Sequence, residues 1–318
     1  MIDAAGTLAL CIPARNAARH LPRLLDSVRR QTRPFDEVWL YDDASTDDTG
    51  AIAGAFSTTV VRSDVNTGPS PGKNLLAQKT TASWVHFHDA DEALQPEFVA
   101  RARTWIARDQ ADVVLFGTED RDDATAQRLL TRQWDDAEAA RDAVAYCIAN
   151  TVTNCGIYRR RAFLDAGGFD SNDDTKYNED QAMHLRLALA GLRFRADDYV
   201  GVVVYRRGQS MSSGHPIECA RAQYQVLANT ARATGTRYAT QIGGRLWQLA
   251  GVLAGFRDWD HVRRCLDLAQ RLGYADPHDE HPAVRLAAHV SPFGAIAVRE
   301  AFIRAFKPRL RRNYPIAG

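Results

Sequence analysis

The sequence of 318 residues predicts an α/β fold, in which a mixed, mainly parallel sheet is flanked by helices and followed by a helical C-terminal region. Three observations predict it. Short apolar runs alternate with helical patterns in the first half, acids follow several of those runs, and only helical periodicity is present from about Ser212 onward. In such a fold, ligands bind at the carboxyl ends of the parallel strands.

Four strands are predicted near the N-terminus, at 8–12, 37–41, 58–61 and 84–87, with a helix after each of the first three. The apolar residues of the first helix recur at helical spacing: Leu21, Leu24, Leu25 and Val28. In the second helix, Ser45 and Asp48 have the spacing of a capping box. In the third, Ser70 suits the N-cap and Pro71 the first helical position.

The later sequence continues this pattern and then changes. The stretch NCGIYRRRAFLDAGGFD predicts a strand, a short helix and a glycine turn, and NEDQAMHLRLALAG predicts a helix capped by Asn178 and ended by Gly191. Helical segments are then predicted near 216–234, 239–256, 258–271 and 284–306. We therefore predict two domains, an α/β domain at 1–212 and a helical region at 213–318.

The composition excludes several classes of protein. The formal net charge is +1, so no overall attraction to nucleic acid is expected. The five cysteines are far apart and form no Cys-x-x-Cys pair, which predicts reduced thiols rather than a zinc or redox site. We see no signal-peptide pattern and no apolar run near the roughly 20 residues that cross a bilayer. We therefore expect a cytoplasmic protein.

Acidic residues are predicted at the carboxyl ends of three strands. These acids are Asp42 and Asp43 after the second strand, Asp89, Asp91 and Glu92 after the fourth, and Glu119 and Asp120 after the run DVVLFG. Two carboxylates about 5 Å apart repel by roughly 3 kcal/mol at an effective dielectric of about 20, so such groups are expected to hold a cation or to have raised pKa values. Hard oxygen ligands suit Mg²⁺ or Mn²⁺ shared with a phosphate.

Two alternatives for these acids stay open at this point. They could solvate a loop or cap the helix that starts near Pro96, because an Asp-x-Asp tripeptide is common. His86 and His88 could form a zinc site with Asp89, but two histidines without a spaced third ligand are usually packed or hydrogen-bonded. The tripeptide alone therefore does not decide the function.

The order of several segments is more specific than any one of them. The segments are LALCIPARNAARHLPRLLDSVRRQT, EVWLYDDASTDDT, NTGPSPGKNLLAQKTTASWVHFHDADEALQPEFV, GGFD, NEDQAMHLRLALAGLRF and YRRGQSMS. Together they resemble the inverting glycosyltransferases of family 2, which have the GT-A fold. The resemblance covers about residues 7–213. It implies transfer of a sugar from a nucleoside-diphosphate-sugar donor to a saccharide or lipid-linked acceptor, with Mn²⁺ or Mg²⁺ as cofactor.

The resemblance also implies which residues bind the nucleotide and the substrates. The positions implied for the base are Pro13, Ala14, Arg15 and Asp43, with Asp42 beside it. Arg15 departs from the family, which often has a stacking tyrosine there. Lys73 and Asn74 stand where the family has Arg-Asn, close to the donor sugar and phosphates, although a structural lysine is the alternative. The remaining substrate-binding positions that we predict are Asn16, Gly68, Ala90, Asn154 and Gly156.

The metal and catalytic groups follow from the same resemblance. Asp91 is implied as the metal ligand, and Asp89 as a contact to the ribose or to the water shell of the metal. Asp180 is implied as the general base that deprotonates the acceptor hydroxyl. Glu179 beside it could hold an acceptor hydroxyl or pair locally with Lys176. The alternative for Asp180 is structural, because any carboxylate is favoured by the dipole in the first turn of a helix.

The segment YRRGQSMS departs from the family, whose members frequently have a histidine there that reaches the metal or the diphosphate. Arg206 and Arg207 are present instead and are predicted to bind substrate. His215 is the candidate that would replace the missing histidine at the metal. The helical region after Ser212 is the predicted place of acceptor, oligomer or membrane-surface contacts.

The C-terminal stretch VREAFIRAFKPRLRRNYP contains six Lys or Arg and one Glu. A basic amphipathic stretch can lie on anionic lipid, so peripheral contact with the inner membrane face is one prediction. A packed helix with a solvated basic end is the other. A homodimer is a further candidate assembly, and no nucleic-acid partner is expected.

Two other functions stay open as alternatives. A sugar-phosphate nucleotidyltransferase also uses acids and Mg²⁺, but we find no glycine-rich triphosphate loop near the N-terminus. A non-catalytic nucleotide-sugar or glycan-binding protein would fit the departures at Arg15 and at the missing histidine. A dinucleotide-dependent oxidoreductase is disfavoured, because no Gly-x-Gly-x-x-Gly follows the first strand.

Overall fold

The structure is a computed structural model, and it describes residues 4–207, 214–274, 277 and 281–311. The chain divides into two compact units. The first consists of Met1–Cys147, Val152–Ser171 and Glu179–Ser210, and the second of Ile148–Thr151, Asn172–Asn178 and Met211–Gly318. Two short segments from within the α/β region thus group with the C-terminal helices. The predicted boundary at 212 places both of these segments in the α/β domain. That boundary stays a prediction.

One mixed sheet forms the centre of the first unit. Its strands are β1 Ala4–Ala14, β2 Glu37–Asp43, β3 Thr59–Ser63, β4 Ala82–Phe87, β5 Ala93–Leu94, β6 Val113–Asp122, β7 Arg128–Arg132, β8 Gly156–Arg159 and β9 Phe194–Arg206. Their order is β3-β2-β1-β4-β8-β6-β9-β5, with β7 beside β6. The first four strands are parallel, as are β6 and β9, whereas β8 is antiparallel to both of its neighbours. The predicted mixed sheet is confirmed.

The inner strands form the core because their apolar runs are buried on both faces. In β1, Leu8, Leu10 and Ile12 have no exposed surface. Across the sheet, Ala14 at the end of β1 pairs with Asp42 near the end of β2. The carboxyl ends of neighbouring parallel strands therefore lie together, as the sequence predicts.

Helices cover this sheet in the first unit and make up most of the second. Those between the strands are α1 Leu21–Arg29, α2 Thr49–Ala55, α3 Pro69–Lys79, α4 Phe98–Arg108, α5 Asp136–Arg141, α6 Ala143–Ala149, α7 Arg160–Asp165 and α8 Glu179–Leu189. The C-terminal ones are α9 Pro216–Thr234, α10 Ala239–Gly255, α11 Trp259–Arg271, α12 Pro282–Val290 and α13 Pro292–Phe306. Short 3₁₀ helices span Asp173–Asn178 and Pro308–Arg311. None of the helices in the described part of the chain combines the length and hydropathy that crossing a bilayer requires.

Three predicted helix details are wrong. The capping box is absent, because Ser45 Oγ accepts a hydrogen bond from the Asn16 N–H and α2 starts only after Asp48. Ser70 is not a cap, since α3 begins at Pro69 and buries that serine inside the helix. The predicted helix at 284–306 is two helices, because the Ser291 hydroxyl caps α13.

Candidate active site

A buried lysine lies among three carboxylates beyond the end of β4. Lys73 of α3 is 1% exposed, and its Nζ lies 3.5 Å from Asp89 Oδ1, 3.6 Å from Asp180 Oδ1 and 3.9 Å from Glu179 Oε1. Asp89 follows β4, whereas Glu179 and Asp180 open α8. Three segments that are distant in the sequence therefore meet at one ammonium group.

The close packing of α3 against the sheet brings Lys73 to this position. A Cβ on Gly72 would lie 2.3 Å from Tyr41 Cδ1, so the helix can approach β2 only where it has glycine. The Lys73 ammonium also faces the ring of Phe169, 4.8 Å from its centroid. A cation that is held by a ring and three acids belongs to the core of the site rather than to its surface.

The pKa values of this cluster depend on the balance of burial and charge. Burial alone would lower the pKa of Lys73, but the charges of Asp89, Asp180 and Glu179 outweigh it and raise that pKa. Burial and the charge of Asp180 raise the pKa of Glu179 to about 7. Burial also raises the pKa of Asp180, and the charge of Lys73 opposes the rise. Asp180 is therefore a stronger base than an exposed aspartate while it keeps a cation beside it.

The second acid of the Asp-Ala-Asp motif has a different partner. Asp91 Oδ2 is paired with Arg207 Nη2, and Arg207 Nη1 donates to His20 Nε2 at 2.5 Å. The side chains of Asp91 and Arg207 are 37% and 24% exposed, and Ala90 before Asp91 is buried. Burial and the charge of Arg207 lower the pKa of His20, which suits a neutral ring that accepts this bond.

Sequence reasoning misses three residues at this edge, His20, Arg23 and Asp123. Arg23 Nη1 donates to Asp123 Oδ1 at 2.7 Å, and its Nη2 donates to the main-chain oxygen of Asp91 at 2.8 Å. The Arg23 guanidinium also lies 3.4 Å from the centroid of the Tyr205 ring. Arg23 thereby fixes the backbone of the motif. No local sequence signal marks Arg23, because it occupies an ordinary polar position of α1. Its partner Asp123 is 100 residues away.

The two acids that end β2 hold neighbouring loops. Asp42 is fully buried and pairs with Arg62. Asp43 accepts hydrogen bonds from the N–H groups of Thr67 at 2.7 Å and Gly68 at 2.9 Å, just before α3 begins. These bonds fix the start of the helix that carries the buried lysine. The predicted contacts of both acids and of Gly68 with the nucleotide stay predictions.

The predicted base-binding region at the end of β1 is partly buried and partly exposed. Pro13 and Ala14 are buried strand residues, whereas Arg15 and Asn16 are exposed. Asn16 has φ 48°, and its Oδ1 accepts from the Thr46 N–H at 2.8 Å. This bond ties the two loops that follow β1 and β2. Stacking of Arg15 on the base stays a prediction.

Two predicted binding residues, Asn74 and Gly156, have structural partners. The Asn74 amide donates to the Phe169 oxygen and accepts from the Phe169 N–H, both at 2.9 Å. Gly156 lies in β8, where a Cβ would be 3.0 Å from the main-chain oxygen of Val114. Packing explains both residue types, and their contacts with substrate stay predictions.

Asn154 has a different environment. The residue is 5% exposed, and its N–H donates to Asp180 Oδ2 at 3.1 Å. Neither polar atom of its side chain has a hydrogen-bond partner within the described residues. Buried amides are rarely left unpaired in folded proteins, so this one indicates a place for a polar ligand beside Asp180.

The predicted strand end at Glu119 and Asp120 is wrong. β6 continues to Asp122, because both acids lie in the ladders with β7 and β9. Asp120 accepts from Arg132 Nη1 at 3.0 Å and from Arg206 Nε at 2.8 Å. Arg206 is therefore an ion-pair partner within the sheet, and its predicted contact with substrate stays a prediction.

The histidines of β4 form a buried pair. His86 Nε2 lies 3.0 Å from His88 Nδ1, and His86 Nδ1 lies 2.8 Å from the main-chain oxygen of Gly156. Burial lowers the pKa of His86 to about 4, so its ring is neutral. In the ranges that the structure describes, no group of three His, Cys, Asp or Glu could hold a metal ion alone. The packed alternative to zinc is the one observed.

His215 belongs to the second unit, at the N-cap of α9. Its ring centroid lies 5.1 Å from that of Tyr177, and its Nδ1 lies 4.0 Å from Glu218. Its role as a metal ligand stays a prediction.

This fold and site can be compared with known proteins. The family model Glycosyl transferase family 2 matches residues 9–167, half of the chain, and the chain therefore belongs to this family. The succinoglycan biosynthesis protein ExoU of Rhizobium meliloti is 26% identical over 284 residues, which are 84% of this chain and 80% of that protein. The predicted family resemblance is confirmed.

Solved structures of two proteins are similar to this chain. S. aureus TarS 1–349 in complex with UDP-GlcNAc has a TM-score of 0.61 at 18% identity, covering 94% of this chain and 92% of that one. The chain spans 55% of a longer TarS structure. The mannosyltransferase PcManGT from Pyrobaculum calidifontis, in complex with GDP-Man and Mn²⁺, has a TM-score of 0.57 at 17% identity, covering 99% and 90%. The fold is GT-A, as the sequence predicts.

Proposed function

We propose that the chain is a metal-dependent, inverting glycosyltransferase. It would transfer a sugar from a nucleoside-diphosphate-sugar to a hydroxyl group of a saccharide or lipid-linked acceptor, with Asp180 as general base. The observation that carries this assignment is the shared cation. Lys73 Nζ lies 3.6 Å from Asp180 and 3.5 Å from Asp89 of the Asp-x-Asp motif, so the acceptor-side base and the donor-side acid are held together.

The donor set of Asp89 and Asp91 fits a divalent cation that other ligands complete. The two side chains are 44% and 37% exposed, and among the described residues Asp89 Oδ2 and Asp91 Oδ1 accept no hydrogen bond. Mg²⁺ and similar ions are often held by one or two carboxylates, with phosphate oxygens and water as further ligands. When bound, the ion would neutralise charge on the leaving diphosphate. Mn²⁺ in the PcManGT complex supports this class of ion.

Asp180 would act on the acceptor. Its Oδ1 is buried and faces the Lys73 ammonium at 3.6 Å, a long contact that leaves this oxygen able to take the proton of an acceptor hydroxyl. As that proton leaves, the acceptor oxygen bonds to the anomeric carbon and the bond from this carbon to the diphosphate oxygen breaks. Attack from the opposite face inverts the configuration.

Three neighbours would support this step. Lys73 remains charged and keeps Asp180 ionised against the cost of burial. Glu179, whose pKa is raised to about 7, would orient the acceptor hydroxyl. The unpaired amide of Asn154 would bind a polar group of the substrate, since its main-chain N–H already holds Asp180.

The wider assignments are proposals of the same kind. We propose a nucleotide-sugar-binding and catalytic domain at 1–212 and a helical region at 213–318 that contacts the acceptor or a second copy. The name of ExoU, a succinoglycan biosynthesis protein, supports a role in polysaccharide synthesis. We propose a cytoplasmic location, where nucleotide-sugar donors are expected.

Calorimetry with UDP, GDP, dTDP and CDP, each with Mn²⁺, Mg²⁺ or EDTA, tests the donor site. We expect one nucleotide to bind only with metal, and to lose binding in Asp91→Ala but not in the control Asp165→Ala, an acid that is 72% exposed in α7. Nucleotide binding that is the same with metal and with EDTA, and the same in Asp91→Ala, would refute the metal site. Pyrophosphate release from a nucleoside triphosphate would favour a nucleotidyltransferase, and binding without turnover a non-catalytic protein.

A further inference from the structure

The last long helix of the second unit has its polar and apolar side chains on unexpected faces. In α13, Val298, Phe302 and Phe306 are 70%, 52% and 72% exposed, whereas the acid Glu300 is 3% exposed. Helices of soluble domains usually bury phenylalanine and expose glutamate. We call Val298, Phe302 and Phe306 the outer stripe.

The buried acid fixes the rotation of this helix. Glu300 Oε1 lies 2.8 Å from Arg304 Nε, and its Oε2 lies 2.6 Å from Arg311 Nη2. Arg304 Nη2 also donates to the main-chain oxygen of Gly255 at the end of α10, at 2.7 Å. Turning the phenylalanines inward would break this buried ion-pair network, so the outer stripe is held toward solvent.

The outer stripe is continuous along the helix. Its residues are four positions apart, which places them on one face. The rings of Phe302 and Phe306 lie 4.8 Å apart between centroids. Leu310, 58% exposed, follows in the 3₁₀ helix. Exposed apolar groups that are contiguous in this way usually mark a contact surface.

The charges beside the outer stripe select the kind of partner. Residues 281–311 contain six Lys or Arg and one acid, and that acid is the buried Glu300. Lys307 and Arg309, which follow the stripe, are exposed and have no acidic partner among the described residues. A two-fold contact with a second copy would place like charges together, whereas an anionic surface would accept both cations.

We propose that the outer stripe, with Lys307 and Arg309, binds the surface of a membrane that contains anionic lipid. The phenylalanine rings would enter the boundary between headgroups and acyl chains, and the two cations would contact lipid phosphates. The contact is peripheral, and it does not depend on the proposed transfer reaction.

Co-sedimentation of the full chain with vesicles tests this proposal. We expect binding to phosphatidylcholine vesicles that contain phosphatidylglycerol, weaker binding to phosphatidylcholine alone, and loss of binding in high salt. Lys307→Gln with Arg309→Gln should lower the partition coefficient about 30-fold, since each basic residue contributes about 1 kcal/mol, or about fivefold. Phe302→Ser with Phe306→Ser should lower it by about tenfold or more.

Matched control variants test whether vesicle binding depends on the outer stripe and its two cations or on exposed residues in general. Leu129→Ser with Leu130→Ser removes two side chains that are 54% and 47% exposed on β7, and Arg161→Gln removes a cation that is 79% exposed. Both controls should bind vesicles like wild type, and all variants should unfold at the wild-type temperature. Absence of vesicle binding by wild type, or equal binding by the phenylalanine variant, would overturn the proposal. A dimer seen in sedimentation velocity would also overturn the proposal, if only the phenylalanine variant abolishes the dimer and wild type does not bind vesicles.

Discussion

The two acids of the Asp-Ala-Asp motif lie two residues apart, but the cations beside them differ in burial. Asp89 is 3.5 Å from Lys73, whose side chain is 1% exposed. Asp91 is paired with Arg207, whose side chain is 24% exposed. The first cation is shared with Asp180 and Glu179 inside the site. The second reaches the motif from the end of β9.

This difference separates a fixed part of the site from an exchangeable part. Removing one partner of a buried ion pair costs about 3–5 kcal/mol, because the other charge is left buried. An exposed pair contributes about 0–1 kcal/mol. We therefore expect Lys73 to stay in place, and we expect Arg207 to leave Asp91 if the proposed metal ion or diphosphate binds there. The motif thus joins a rigid acid to an adaptable one.

The largest effect is expected at the rigid end, for Asp180→Asn. Loss of a general base lowers kcat by about 10²–10⁴-fold. The donor should still bind, because the amide keeps the size of the side chain and the motif acids are unchanged. Donor turnover and calorimetry with the preferred nucleotide measure the two quantities.

The pH dependence provides the control for this variant. The pKa of Asp180 is raised by burial, so wild-type activity should fall as the pH falls through that raised pKa and the base takes up a proton. The residual activity of Asp180→Asn should lack this acid limb. Asp165→Asn, at an exposed position of α7, should retain both rate and pH profile. Wild-type kcat in Asp180→Asn would refute the base assignment.

The next effect compares the two cations directly. Lys73→Met should lower the free energy of unfolding by about 3–5 kcal/mol, because three acids lose a buried partner. Arg207→Met should lower it by about 1 kcal/mol or less. Urea unfolding of both variants measures the difference. Equal losses would mean that burial does not distinguish the two ends of the motif.

The Lys73→Met loss should also depend on pH. Without the ammonium, the pKa values of Asp180 and Glu179 rise further above those of the unfolded chain. A carboxyl group with a raised folded pKa stabilises the fold as it takes up its proton. The deficit of Lys73→Met should therefore shrink as the pH falls through those raised values.

The sequence predicts the rigid end better than the adaptable end. The alternation of strands and helices can be predicted from the local sequence, because each apolar run is followed by a helical pattern. Asp89 and Asp180 lie beside elements that are predicted in this way. The partner of Asp91 could not be predicted, since Arg207 is 116 residues away. The strand β9 is also difficult to find, because Asp197 interrupts its apolar pattern. That acid is buried, where it accepts from Trp105 Nε1 at 2.6 Å.

Helix starts show the same limit in a different form. The start of α3 depends on Asp43, whose carboxylate binds the N–H groups of Thr67 and Gly68 across 24 and 25 residues. Serine and proline in PSPGKN favour a start at Ser70 when they are considered alone. A carboxylate from a neighbouring strand overrides that preference. Tertiary contacts of this kind decide the places where local capping rules fail.

The smallest effect is expected for Arg207→Gln, and it concerns the metal. In the nucleotide-free chain, Arg207 and a divalent ion would compete for Asp91. Removing the guanidinium charge should raise Mn²⁺ affinity by up to about fivefold, which corresponds to the ~1 kcal/mol of a partly exposed pair. Electron paramagnetic resonance of free Mn²⁺ measures this affinity without any turnover.

Arg206→Gln is the matched control, since Arg206 pairs with Asp120 and its substitution should leave Mn²⁺ affinity unchanged. A lower affinity in Arg207→Gln would mean that Arg207 orders Asp91 for the ion instead of competing with it, and both ends of the motif would then be rigid.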